Sequence, residues 1–163
     1  MRTLIIGLGN PLLGDDGIGW RVAEAVQQHI ASAGCLFSSL QLEIEVDCLA
    51  VGGLSLMERL IGYDRAILVD ALNTGQNPAG AVSILQLGDL PDRACGHLGS
   101  AHDASLKTAL SVGRSMGVSL PEQVAIVAIE SPSVYDFSED LSPPVMAALP
   151  EAVQVTLKLL RQA

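Results

Sequence analysis

Carboxylates stand at the ends of apolar runs in this sequence, where a chain would leave a buried core. They are Asp15, Asp16, Asp70 and Glu130. His102 precedes an amphipathic stretch further along the chain. Ligand sites of open α/β sheets lie beyond the carboxyl ends of the strands, so these side chains could share one cleft. Two carboxylates and one imidazole suit a borderline divalent metal ion, and Asp16, Asp70 and His102 are the candidate ligands.

Each candidate also has a purely structural interpretation. A carboxylate at a helix start is ordinary capping, which stabilises by about 1 kcal/mol. Because Asp15 and Asp16 are adjacent, only one of them can cap, and the other can point into a cleft. Turn chemistry often supplies an Asp such as Asp70 at the end of a strand. His102 has no such reason, since histidine is not a favoured cap and the helix dipole there favours the neutral ring that binds metals.

The elements that must position these residues alternate between strands and helices. Apolar runs predict strands at 3–8, 42–46, 66–69, 82–87 and 124–129. Helices are predicted after Asp16, at 55–61, at 103–116 and after Ser142, which precedes two prolines. The alternation predicts one α/β domain over residues 1–163 with a largely parallel sheet. If the first and third strands are neighbours, Asp16 and Asp70 share a cleft.

Composition narrows the class of partner. The chain has 163 residues, of which 49% are apolar and 17% charged, enough for one buried core and too few charges for a disordered chain. Its formal charge is −9, and its nine basic residues form no run. This argues against nucleic acid as a partner, because phosphate binding needs clustered Lys and Arg. An acidic surface is compatible with a protein or small-molecule partner, or with solubility alone.

Cysteine usage and hydropathy predict the compartment. Cys35, Cys48 and Cys95 are odd in number and form no Cys-x-x-Cys pair, which indicates reduced thiols. Glycines and Asn10 interrupt the first apolar run too early for the core of a signal peptide. No stretch approaches the roughly 20 apolar residues of a membrane helix. We therefore expect a cytoplasmic protein with no membrane partner.

Two other motifs could form a binding site, but each matches its known pattern only in part. Cys95-Gly96-His97 could contribute to a zinc site, but it lacks the paired knuckles of structural zinc sites. Gly7 and Gly9 after the first strand resemble a dinucleotide fingerprint, but its third glycine would fall at Leu12. Adjacent carboxylates would also repel a pyrophosphate at the helix start.

The string IIGLGNPLLGDDGIGWRVAEAV closely resembles the opening of the nickel–iron hydrogenase maturation endopeptidases. That family shows a G-x-G-N-x-x-x-x-D-[DE]-G/A-x-G pattern. Later landmarks agree in order: ILVDAL around Asp70, SAHDASL around His102, AIE ending in Glu130, and LSPPV before the last helix. The resemblance covers nearly the whole chain.

The resemblance implies a fold, an activity and a partner. The fold would be a twisted, mixed five-stranded sheet flanked by helices. The activity would be removal of the C-terminal extension from a hydrogenase large-subunit precursor after nickel insertion. Asp16, Asp70 and His102 match the residues thought to recognise that nickel. The nickel would arrive on the precursor, and the free protein is expected to hold no tightly bound metal.

The chain departs from the family at two places, and two other functions remain open. Many members carry an Asp-Gly-Gly-Thr-like stretch where this chain has residues 47–53, which puts the particular hydrogenase in doubt. Some members carry Glu where Asp16 stands. The GLGNP string also opens the peptidyl-tRNA hydrolases, which need a basic surface. A non-catalytic nickel-binding assembly factor is the second alternative. The sequence leaves the roles of Glu130, Cys95 and His97 open.

Overall fold

The computed structural model describes residues 1–32, 43–89, 106–132 and 137–162 of the chain. In these ranges the strands are β1 (Arg2–Leu8), β2 (Glu43–Leu49), β3 (Arg65–Leu72), β4 (Val82–Gln86) and β5 (Gln123–Glu130). The helices are α1 (Ile18–Ser32), α2 (Gly53–Arg59), α3 (Leu106–Ser115) and α4 (Pro143–Arg161). Short 3-10 turns occupy Gly14–Gly17 and Leu87–Asp89.

The strands form one mixed sheet in the order β2–β1–β3–β5–β4. β1 pairs in parallel with β2 and β3, β3 pairs in parallel with β5, and β4 pairs antiparallel with β5 at the edge. The predicted neighbourhood of the first and third strands is confirmed, with Gly7 opposite Val69. The carboxyl ends of β1, β3 and β5 therefore meet along one edge of the sheet, called here the carboxyl edge.

Helices cover both faces of the sheet, because successive side chains of a strand point to opposite faces. Ile67 and Val69 of β3 pack with α1 and α4 on one face. Leu68 and Leu72 pack with α2 and α3 on the other face. The central strands are thus buried on both sides, which explains why they are continuous apolar runs. The α/β fold with a five-stranded mixed sheet is confirmed.

The helix predictions agree with the structure in order and type where residues are described, but the helix predicted at 55–61 lies two residues earlier, at Gly53–Arg59. α1 buries Ile18, Val22 and Val26, three residues of its predicted apolar face. The helix predicted at 103–116 is described from Leu106 to Ser115, and residues 103–105 lie outside the described ranges. None of the described helices combines the length and the apolar character needed to cross a membrane.

Candidate active site

Asp16 lies in the 3-10 turn Gly14–Gly17 that joins β1 to α1, at the carboxyl edge. Its Oδ2 atom accepts a hydrogen bond from the backbone N–H of Asn10 at 2.6 Å, and the residue is 5% exposed. The side chain of Asn10 accepts a bond from the backbone N–H of Leu12 at 3.0 Å, which orders the same segment. The Asp16 carboxylate is therefore held in a defined orientation by the residues before the turn.

Two glycines allow this turn to lie directly against the sheet. Gly9 has a φ of +129°, and a Cβ there would lie 1.8 Å from the carbonyl oxygen of Asp16. A Cβ on Gly19 would lie 2.1 Å from the carbonyl oxygen of Leu8 and 2.6 Å from that of Val69. Val69 immediately precedes Asp70. The segment that carries Asp16 is thus packed against the part of β3 that carries Asp70.

Asp70 lies inside β3, so the prediction that the strand ends there is wrong by two residues. The strand continues to Leu72 because β5 runs beside it, with Asp70 opposite Ala128 and Leu72 opposite Glu130. Asp70 is fully buried. Strand alternation places its side chain on the same face as Leu68 and Leu72, the face covered by α2 and α3. A carboxylate in a strand paired on both sides has little freedom to move.

The sequence predicts a cap at Asp15 or Asp16, and Asp15 does not cap α1. Its carboxylate accepts hydrogen bonds from Ser131, directly after β5, and from Ser142, directly before α4. Ser142 is the N-cap residue of α4 but makes no side-chain capping bond, because its hydroxyl donates to Asp15. The sequence contains no signal for these contacts, since the bonded residues are 116 and 127 positions apart.

Glu130 ends β5 and binds the turn after β3. Its carboxylate accepts hydrogen bonds from Thr74 and from the backbone N–H of Gly75, and Glu130 is 6% exposed. These bonds hold the β3–β4 connection to the end of β5. Asp15 and Glu130 therefore both connect segments of the protein that are distant in sequence.

His102 and the alternative pair Cys95 and His97 lie outside the described residues. Among the residues that the structure describes, no three His, Cys, Asp or Glu side chains come together as a metal site. The structure places Asp16 and Asp70 on elements in contact, and the set of three remains a prediction from the sequence.

A charged cluster (Glu45, Asp47, Arg59 and Tyr63) fixes α2 to the edge strand β2. The Arg59 guanidinium donates to Asp47 at 2.8 Å, to the Tyr63 hydroxyl at 2.9 Å and to Glu45. Tyr63 also donates to Glu45, and this bond lowers the pKa of the Glu45 carboxyl below its ordinary value. Asp47 is the first residue of the stretch 47–53, where the chain departs from the family pattern. Its carboxylate is bound by Arg59.

A cleft of about 490 Å³ lies at the opposite edge of the sheet, between the starts of β3 and β5 and the end of α4. Arg65 and Arg114 line it together with Gln123 and Leu159. The Arg65 guanidinium donates to the carbonyl oxygen of Leu159 at 2.7 Å, and burial lowers its pKa. Neither Asp16 nor Asp70 lines this cleft.

Comparison with known proteins gives one consistent result. A family model described as hydrogenase maturation protease matches residues 20–159. The hydrogenase 2 maturation protease of Escherichia coli is 28% identical over 100% of this chain and 93% of that protein. The hydrogenase expression/formation protein HupD of Rhizobium leguminosarum is 27% identical over 98% of this chain and 74% of that protein.

A solved structure agrees with this result. The hydrogenase maturating endopeptidase HybD from E. coli superposes with a TM-score of 0.72 at 25% sequence identity. The match covers 99% of this chain and 93% of that one. The sequence matches and the structural match thus indicate the same family over nearly the full length of the chain.

Proposed function

Since the chain belongs to the hydrogenase maturation protease family and is a peptide-bond hydrolase, we propose that it removes the C-terminal extension of a nickel–iron hydrogenase large-subunit precursor after nickel insertion. Its partner is that precursor, and the nickel is part of the substrate. The family membership sets aside the peptidyl-tRNA hydrolase alternative. The non-catalytic assembly factor remains as an outcome of the experiment below.

The close contact between Gly19 and Val69 is the observation that carries the nickel-recognition part of this proposal. It holds the turn with Asp16 against the strand with Asp70, so that two carboxylates belong to one region of the carboxyl edge. Carboxylate oxygens together with an imidazole form a donor set that suits borderline divalent metal ions. We assign Asp16, Asp70 and His102 as the residues that contact the nickel of the precursor.

The direction of α3 supports His102 as the third member. Arg114, near the end of α3, lines the cleft at the opposite edge with the first residues of β3 and β5. The ten residues of α3 span roughly 15 Å, and its first residue, Leu106, belongs to the same buried cluster as Leu72, the last residue of β3. α3 also packs on the face of the sheet to which the Asp70 side chain belongs. His102 precedes Leu106 by four positions in the sequence.

Nickel acts in this scheme as a checkpoint. A metal ion held by the precursor offers the two carboxylates and the imidazole a ligand, and an unloaded precursor offers none. Asp70 is fully buried and Asp16 is 5% exposed, so we expect the nickel to gain access to them only when the precursor docks. A metal ion bound there can polarise a scissile carbonyl. We place the reaction in the cytoplasm, where the thiols of the chain stay reduced.

The proposal is tested by incubating the protein with nickel-loaded and nickel-free precursor and measuring the mass of the large subunit. We expect the mass to fall by that of the C-terminal extension with the loaded precursor alone. Stable binding with unchanged mass would favour the assembly factor. Cleavage of both forms at one rate would remove nickel recognition from the proposal.

Variants then test the three assigned residues. Asp16→Asn, Asp70→Asn and His102→Ala should fold and should lose processing, because each removes a metal-binding group. His29→Ala is the control for histidine, since His29 is exposed on α1. A folded variant that processes the loaded precursor at the parental rate would exclude its residue from the site.

A further inference from the structure

Asp15 is a buried carboxylate with both oxygens engaged by the protein. Its Oδ1 atom accepts the backbone N–H of Ser142 at 2.6 Å. Its Oδ2 atom accepts the hydroxyls of Ser142 at 2.8 Å and of Ser131 at 3.0 Å. The residue is 1% exposed. Both oxygens of Asp15 are thus taken up by Ser131 and Ser142, so this carboxylate acts between segments of the protein.

These bonds join three segments of the carboxyl edge: the turn Gly14–Gly17, the residue after β5 and the residue before α4. Backbone bonds strengthen the connection, because the N–H of Gly14 donates to the carbonyl oxygen of Ser138 and the N–H of Ser138 donates to that of Leu12. The turn is therefore tied to the segment 137–142 on one side and, through Gly19, to β3 on the other.

The hydroxyl of Ser142 binds Asp15 and not the first turn of α4, which supports a connecting role for Asp15. A serine at an N-cap normally bonds to backbone N–H groups of the first helical turn. Two of the first positions of α4 are Pro143 and Pro144, which have no N–H to offer, and the hydroxyl of Ser142 binds Asp15. The positive end of the α4 dipole also favours a carboxylate at this place.

Asp16 is the next residue of the same turn. Neighbouring residues of a 3-10 turn point about 120° apart, so Asp15 can be directed toward α4 while Asp16 is directed toward Asn10. The bonds that fix the Asp15 carboxylate also fix the backbone from which the Asp16 side chain projects. We propose that Asp15 is a positioning residue, which orients Asp16 toward the nickel of the precursor without touching the substrate; this inference rests on the proposed function.

The test compares the affinities of the protein for nickel-loaded and nickel-free precursor. Loss of folded protein lowers both affinities equally, whereas misorientation of Asp16 lowers only the affinity for the loaded form. In Asp15→Ala we expect the ratio of the two affinities to fall by about 10-fold or more, as for other residues that orient a metal ligand. Asp15→Asn should restore the ratio, because its amide can accept the Ser142 N–H and donate to the serine hydroxyls.

Two further variants make the result decisive. If Asp15→Ala does not fold, the double variant Ser131→Ala/Ser142→Ala replaces it, since it removes both hydroxyl bonds and keeps the backbone bond to Asp15. Glu130→Ala is the matched control, because it removes a buried carboxylate of the same edge that binds the β3–β4 connection. We expect it to lower stability and to leave the affinity ratio unchanged.

The outcomes separate this inference from the proposed function. If the parental protein prefers the loaded precursor, and a folded Asp15→Ala or double serine variant shows the same preference, the positioning role is wrong and the proposed function stands. If the parental protein neither prefers nor cleaves the loaded precursor, the proposed function fails and the positioning role fails with it.

Discussion

The carboxylate of Glu130, at the end of β5, accepts hydrogen bonds from both the backbone N–H and the hydroxyl of Thr74, at 2.8 and 2.6 Å. The backbone N–H of Gly75 donates to the same carboxylate at 2.9 Å. An acidic residue that the sequence places at the carboxyl edge is thereby bound to the connection after β3. Its position alone would have suggested a part in the reaction.

Glu130→Gln should retain both stability and precursor processing, because the amide oxygen can accept the two N–H groups and the amide nitrogen can donate to Thr74. Glu130→Ala should lower the free energy of unfolding by about 2–4 kcal/mol, since buried donors lose their acceptor. Urea unfolding measures the free energy of unfolding of both variants. The mass of the large subunit measures precursor processing. A folded but inactive Glu130→Gln would show that this carboxyl takes part in the chemistry.

Gly19→Ala should lower the free energy of unfolding by about 3 kcal/mol or more, because its Cβ would overlap the carbonyl oxygens of Leu8 and Val69. Gly88→Ala is the matched control, since a Cβ there meets no atom within 4 Å. Chemical denaturation of both variants measures the difference. Equal stability of the two would contradict the close packing of the turn on β3.

Phe137→Ser should raise the KM for the precursor and leave the melting temperature unchanged. Phe137 is 86% exposed beside Ser138, which pairs with Leu12, itself 46% exposed. These two apolar side chains lie next to the turn that carries Asp16, where the precursor would dock. Met116→Ser, which changes a residue 75% exposed at the end of α3, is the control. Equal KM values for both variants would remove Phe137 from the docking surface.

The free protein should bind nickel weakly. Three protein ligands leave a coordination shell incomplete, and burial of Asp70 and Asp16 keeps ions in solution from reaching them. Equilibrium dialysis against Ni²⁺, followed by mild chelation and metal analysis, should leave well below one nickel per chain. Stoichiometric nickel after chelation would contradict this expectation and would identify a resident metal ion.

Cys48 should react slowly with iodoacetamide in the folded protein. Burial, helped by the negative charges of Glu24 and Asp47, raises the pKa of its thiol from 9.0 to about 11. A pKa two units higher leaves about 100-fold less thiolate at pH 8. Peptide mapping of native and urea-unfolded protein measures the two rates at Cys48. Equal rates would show that the thiol is neither buried nor shifted.

The same shift has a consequence for stability. The folded state binds the Cys48 proton more tightly than the unfolded state, so this thiol makes the free energy of unfolding fall as the pH rises from about 9 to 11. In Cys48→Ala this part of the fall should disappear. A cysteine that stays protonated at neutral pH is also a poor nucleophile, so Cys48→Ala should keep full processing activity.

Much of the fold could be predicted from the sequence, because β1, β3 and β5 are buried on both faces and therefore appear as uninterrupted apolar runs. The end of β3 could not, since Asp70 breaks the run while the neighbouring β5 continues the pairing to Leu72. The antiparallel position of β4 beyond β5 depends on pairing between strands distant in sequence, and a short apolar run does not encode its partner.

Part of the candidate site could likewise be predicted from the sequence, and part of it could not. The type and spacing of Asp16 and Asp70 could be recognised because each follows an apolar run or a glycine-rich turn. The separate roles of Asp15 and Asp16 could not, because the bonds of Asp15 reach residues 116 and 127 positions away. Adjacent carboxylates of one chemical type differ here only in which segments of the folded chain surround them.

Because Gly19 has no side chain, the backbone around it lies directly against the carbonyl oxygens of Leu8 and Val69. This contact brings together the segments that carry Asp16 and Asp70. In the proposed site, the spacing of the two segments that carry the carboxylates therefore depends on this main-chain contact and not on side-chain rotations elsewhere on the protein. Efforts to retarget such a peptidase should change residues away from Gly19 and leave its contact with Leu8 and Val69 intact.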